Sequence, residues 1–175
     1  MTGNSTLRGL LAGLAVLLAP ASAHAAPVNP DKQARGTARI INGIFIRKLQ
    51  DLNFGTLGLI TGGAGTATIN PNTDAISTTG GIQLISGPAY GAQFEAVSPS
   101  KSVVHIRVPK ASTVVTRVGG TETMTVDTFT ISGSANRNVV AKEPFSFTVG
   151  GTLRVNANQA EGLYVGTFDI DLQYN

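Results

Sequence analysis

The sequence predicts an all-β protein, a single antiparallel sandwich behind an N-terminal leader. After residue 36, short runs of alternating apolar and polar residues recur, each bounded by glycine or proline. That is the pattern of half-buried strands joined by turns. Nothing beyond residue 25 sustains helical spacing. Charged residues make up 13% of the chain, with 21 glycines and abundant Thr, Val and Ile, a balance that favours strands and tight turns.

The leader comes first. Arg8 is the one charge before an apolar run from Gly9 to Ala19, which Pro20 ends. Ala23-His24-Ala25 places small residues where a signal peptidase reads, so residues 1–25 read as a secretory signal, too short for a membrane span. Cleavage is expected between Ala25 and Ala26, with Ala23 the second choice. The chain from Ala26 on has 12 basic and 10 acidic side chains, a formal net charge of +2, without any Lys/Arg cluster that would suggest nucleic acid. Its length suits one domain of roughly 150 residues. It has no cysteine, so an exported chain of this kind rests on packing and backbone pairing alone.

The elements follow in order. Residues 26–36, with two prolines and three charges, read as a mobile arm, and the sandwich is expected over residues 37–175. Ala38, Ile40, Ile44 and Ile46 share one parity, with Asn42-Gly43 between them as a hairpin turn or a bulge. Leu52 and Phe54 alternate up to Gly55, and Leu57 and Leu59 follow. Ala67 and Ile69, then Ile82 and Leu84, then Ala92, Phe94 and Ala96, then Val104, Ile106 and Val108 each give the inward face of a strand. Gly119-Gly120 marks a two-residue hairpin. In the arm after it the apolar parity shifts from Met124 and Val126 to Phe129 and Ile131, which one extra residue near Asp127 explains as a β-bulge. Phe145 to Val155 is either a strand pair or one strand bent at Gly150-Gly151. From Leu163 to Asn175 the chain reads as one last strand, with Tyr164, Phe168, Ile170, Leu172 and Tyr174 on the core side and Thr167, Asp169, Asp171 and Gln173 on the other.

Catalysis is not written here. The chain from Ala26 on has no thiol and one histidine, His105, which alternation turns outward between Val104 and Ile106 as a solvated side chain rather than a base. Asp169 and Asp171 share a strand face, where a carboxylate pair suits calcium or glycosidic chemistry; the plainer reading is a polar outer face. Gly62-Gly63-Ala64-Gly65 lacks the Lys and Ser/Thr of a phosphate loop and is a turn. No catalytic residue, metal ligand or cofactor is expected.

Gly162 is fourteenth from the end and Tyr174 is penultimate, with alternating apolar residues between. In this the chain resembles the subunits of chaperone–usher pili. Over most of its length it resembles a bacterial exported domain family of unknown function, related in style to spore-coat-protein-U-like and archaic-pilus subunits. The resemblance lies in Leu52-Asn53-Phe54-Gly55, Gly65-Thr66-Ala67-Thr68-Ile69, Thr79-Gly80-Gly81, Val149-Gly150-Gly151-Thr152-Leu153 and Asn158-Gln159-Ala160-Glu161-Gly162-Leu163-Tyr164. It implies an immunoglobulin-like sandwich lacking one strand, which a neighbouring subunit supplies. Ala38, Ile40, Ile44 and Ile46 would be the donor strand, and the C-terminal strand with Gly162, Tyr164, Phe168, Ile170, Leu172 and Tyr174 the acceptor. The implied partners are other copies, joined head to tail as a pilus filament, and a periplasmic chaperone and usher. The implied route runs through the periplasm to the cell surface, with cell adhesion and biofilm as the setting. Two features depart from the resemblance, the missing disulfide and the poor apolar content of residues 26–36. The alternative is a self-complete secreted or periplasmic module that binds glycan or protein. Against a sugar platform stand the lack of tryptophan and the presence of only three tyrosines.

Overall fold

The computed structural model describes residues 43–174. The strands in chain order are β1 (Phe45–Gln50), β2 (Thr56–Leu59), β3 (Gly65–Ile69), β4 (Ile76–Gly80), β5 (Ile82–Ser86), β6 (Ala92–Val97) and β7 (Ser102–Arg107). They continue as β8 (Thr113–Arg117), β9 (Thr123–Ile131), β10 (Asn136–Val139), β11 (Pro144–Val155), β12 (Tyr164–Val165) and β13 (Asp171–Tyr174). The described residues contain no helix. The leader expected over residues 1–25, the arm over 26–36, and Ala38, Ile40 and Asn42 lie outside the described residues.

The strands form an antiparallel β-sandwich, as the alternation predicts. The larger layer runs in the order β1-β6-β11-β9-β8-β12, with β3 and β4 added beside the second half of β11. The smaller layer is β10-β7-β13, accompanied by the β2-β5 pair. Alternation works as expected where both neighbours are present: in β6, Ala92, Phe94 and Ala96 are buried and the residues between them half-buried. His105 is half-buried on the outer side between buried Val104 and Ile106, and its Nδ1 lies 2.7 Å from Asn136 Oδ1.

β11 is the axis of the larger layer, a single bent strand. On one edge its first half pairs β6, from Pro144↔Val97 to Val149↔Ala92, and its second half pairs β3, from Thr152↔Thr68 to Val155↔Gly65. The change of partner falls at Gly150-Gly151. A Cβ on Gly150 would lie 2.9 Å from Pro71 Cδ and closer still to the Ile69 carbonyl oxygen, so only glycine lets the end of β3 come this near.

The bulge expected near Asp127 is there. Thr152 pairs Asp127 but Gly150 pairs Thr130, one residue out of step, and Thr128 takes a φ of 50°. The extra residue lets Val126 and Phe129 both face the core, where they are 4% and 7% exposed. Asp127 stays on the outer side, ion-paired with Arg154 across the ladder.

Two expectations need correction. The β8-β9 loop is longer than a two-residue hairpin: Arg117 N–H donates to Glu122 O (2.9 Å), so residues 118–121 form the loop between them. The last thirteen residues are not one strand. β12 pairs β8 in the larger layer and β13 pairs β7 in the smaller, with 166–170 crossing between layers. Alternation survives the crossing because the segment stays extended throughout: Tyr164, Phe168, Ile170, Leu172 and Tyr174 are half-buried and the odd-numbered residues exposed. Of the donor candidate's residues, Ile46 lies in β1, opposite Ala96 at the edge of the larger layer, and Ile44 precedes that strand.

Candidate binding groove

Between the layers lies a cleft of about 1500 Å³. Its floor is the inner face of the larger layer: Phe94 of β6, Leu153 and Val155 of β11, Met124, Val126 and Phe129 of β9. These are core residues, each under one-tenth exposed. One wall is the stretch from Leu52 to Leu59, and the other the stretch from Asn158 to Phe168. The apolar wall residues Leu52, Phe54, Leu57, Leu59, Tyr164 and Phe168 are only half-buried, although all pack against the core.

Each wall is held by local chemistry. Asn53 pairs with Tyr90 through two backbone hydrogen bonds of 3.0 and 2.8 Å, and its Oδ1 accepts from Gly55 N–H at 2.9 Å. That Asx turn directs Phe54 toward the floor and starts β2 along β5. At the other wall, Tyr164 Oη donates to the Ala160 carbonyl and accepts from Gln159 Nε2, both at 2.7 Å. Arg117 lies over Gly162, where a Cβ would meet its Cδ at 2.9 Å. The Arg117 guanidinium grips Glu122 with Nε to Oε2 at 2.7 Å and Nη2 to Oε1 at 3.1 Å. Those hydrogen bonds lower the Glu122 pKa to about 2 and raise that of Arg117. The walls meet at one end, where Asn158 N–H donates to Gly62 O at 3.0 Å.

Gly166 starts the crossing between layers. A Cβ there would lie 2.5 Å from the Val114 carbonyl oxygen and 2.8 Å from Val115 Cγ1, so the chain can run tight against β8 as it leaves β12. Phe168 then meets Phe129 with ring centroids 4.9 Å apart. Of the expected acceptor residues, Tyr164 and Phe168 border the cleft beside Gly162. Ile170 and Leu172 pack on the core beyond it, and Tyr174 reaches the buried Ser98, whose Oγ lies 3.4 Å from the tyrosine oxygen. At Asp171, Leu172 and Gln173, β13 pairs β7 on one side and no strand among the described residues on the other.

The wall from Leu52 to Leu59 and the β9 floor were missed as groove residues in the sequence. Their alternation was legible, but a shared cleft depends on pairings between strands far apart in the chain. Among the described residues no three His, Asp or Glu side chains come together as metal ligands.

Residues 44–174 match a family described as Domain of unknown function (DUF4402). The chain belongs to that family. The DUF4402 match begins one residue before β1 and ends on the last residue of β13, so the family unit coincides with the sandwich and includes both walls of the groove. No curated protein and no solved structure matches the chain.

Proposed function

We propose that this protein is a non-enzymatic structural subunit of a bacterial surface filament, assembled by strand donation between copies. The cleft of about 1500 Å³ carries the reading: a floor of core side chains lies between two half-buried walls. Beyond the cleft, the Asp171–Gln173 side of β13 is next to no described strand. An added strand gains main-chain hydrogen bonds from such an edge and places alternate side chains on such a floor. Donation from one copy to the next is heterologous and does not close, so it makes a filament. An unfilled groove aggregates, which is the reason to expect a periplasmic chaperone and an usher.

One observation favours a second reading, a self-complete secreted module that binds glycan or protein. The pairing of Phe45–Gln50 with β6 turns part of the donor candidate into the chain's own edge strand. Size-exclusion chromatography and negative-stain microscopy separate the two, applied to the chain from Ala26 and to one beginning at Gly43. The filament reading expects polymers from the first, and from the second monomers that bind an added peptide of residues 26–42. Folded monomers of both at every concentration would leave the self-complete module as the account.

A further inference from the structure

Strand β1 ends the larger layer. It pairs β6 on one side and no strand among the described residues on the other. Such an edge offers a row of unpaired N–H and C=O groups, which another extended backbone satisfies as a row. Phe45 and Ile46 are 71% and 41% exposed, the first more than any other large apolar side chain among the described residues. In the register with β6, Ile46 stands opposite buried Ala96, and Phe45 and Arg47 stand opposite half-buried Val97 and Glu95. The register shifts between Lys48 and Gln50, so the regular stretch ends at Lys48. Its two charges, Arg47 and Lys48, are ion-paired with Glu95 and Asp51.

We propose that the β1 edges of two copies pair antiparallel about a two-fold axis at Ile46, joining their larger layers into one continuous sheet. The residues of β1 select this register. Directly opposite residues share a face of the sheet, so the axis falls on a residue position, and each position implies its own set of pairs. An axis at Arg47 or Lys48 sets two like charges face to face, which is destabilising. An axis at Phe45 sets Gly43, a poor strand residue, opposite Arg47. An axis at Ile46 sets Ile46 on Ile46, Phe45 on Arg47 and Ile44 on Lys48, with no like charges opposed. Each Phe45 ring then covers the aliphatic stem of the other copy's Arg47, whose charge Glu95 balances. The contact is isologous and closes, so it is separate from head-to-tail donation and goes beyond it. One strand per copy makes a small interface, below about 1,200 Å², so the pair is weak and reversible.

Disulfide trapping tests this in the chain from Ala26, which has no cysteine of its own. Under mild oxidation, Ile46→Cys should give roughly tenfold more covalent dimer than Phe45→Cys or Arg47→Cys, because only a residue on the axis falls within the Cα separation of about 4.4–6.8 Å that a disulfide needs. The flanking positions lie on the diagonal to themselves, about 7–8 Å apart. Phe45→Cys mixed with Arg47→Cys should cross-link to each other, since those positions are directly opposite. That arm leaves Ile46 unchanged, so it decides the matter should Ile46→Cys fail to fold. Head-to-tail contacts do not place a residue beside itself, so filament formation does not imitate the Ile46 signal. Equal trapping at all three positions, a maximum at Phe45→Cys or Arg47→Cys, or no cross-link in the mixture would overturn the pairing or its axis.

Discussion

Two adjacent glycines in β11 provide the sharpest test of how the groove floor is built. A Cβ on Gly150 meets backbone: the Ile69 carbonyl oxygen, Pro71 N at 3.1 Å and Pro71 Cδ at 2.9 Å. Neither strand end can yield locally, so Gly150→Ala must push β3 off β11 at the point where β11 changes partner. Overpacking of this kind costs about 1–3 kcal/mol, and a strained ladder hydrogen bond adds about 1 kcal/mol. The total, about 2–4 kcal/mol, corresponds to a fall in Tm of roughly 6–16 °C for a domain of this size. A Cβ on Gly151 meets only side chains closely, Val126 Cγ1 at 3.2 Å and Phe129 Cδ1 at 3.3 Å. Those can shift, and alanine also restricts the unfolded chain, which favours folding by about 0.4–1 kcal/mol, so Gly151→Ala should lie within about 1 kcal/mol of wild type. Urea denaturation with matched m-values and a thermal scan measure both variants. Equal losses, or a Gly150→Ala variant as stable as wild type, would refute the claim that backbone approach at Gly150 sets the bend.

Two further outcomes follow from the walls. Phe168→Ala removes the ring that meets Phe129 at a tilt and should cost about 1–3 kcal/mol, less than for a fully buried ring because Phe168 is half-buried; an unchanged urea midpoint would count against that contact. Glu122 should titrate near 2, followed by carboxyl chemical shifts. Because its folded pKa is depressed, the stabilisation it gives is present above the ordinary carboxylate range and is lost as pH falls from about 4.5 through about 2. The pair is substantially exposed, so salt should weaken the effect, and an ordinary midpoint near 4 would show that the Arg117 grip is absent in solution.

The class of fold and the facing of its side chains follow from the residue pattern alone. Period-two alternation is local, which is why the inward sets of β6 and β7, the bulge at Asp127 and the half-buried even positions from Tyr164 to Tyr174 were all legible. It left open whether residues 145–155 made one strand or two, and it drew the last thirteen residues as a single strand. Both points depend on long-range pairing. Whether an extended residue joins one sheet or another depends on which distant edge is vacant beside it: β8 for Tyr164, β7 for Leu172, β6 for Ile46. The groove has the same origin, because its floor comes from strands paired across as many as 57 residues of chain, from Ala92 to Val149, and a cleft between layers is a property of their packing that no local pattern encodes.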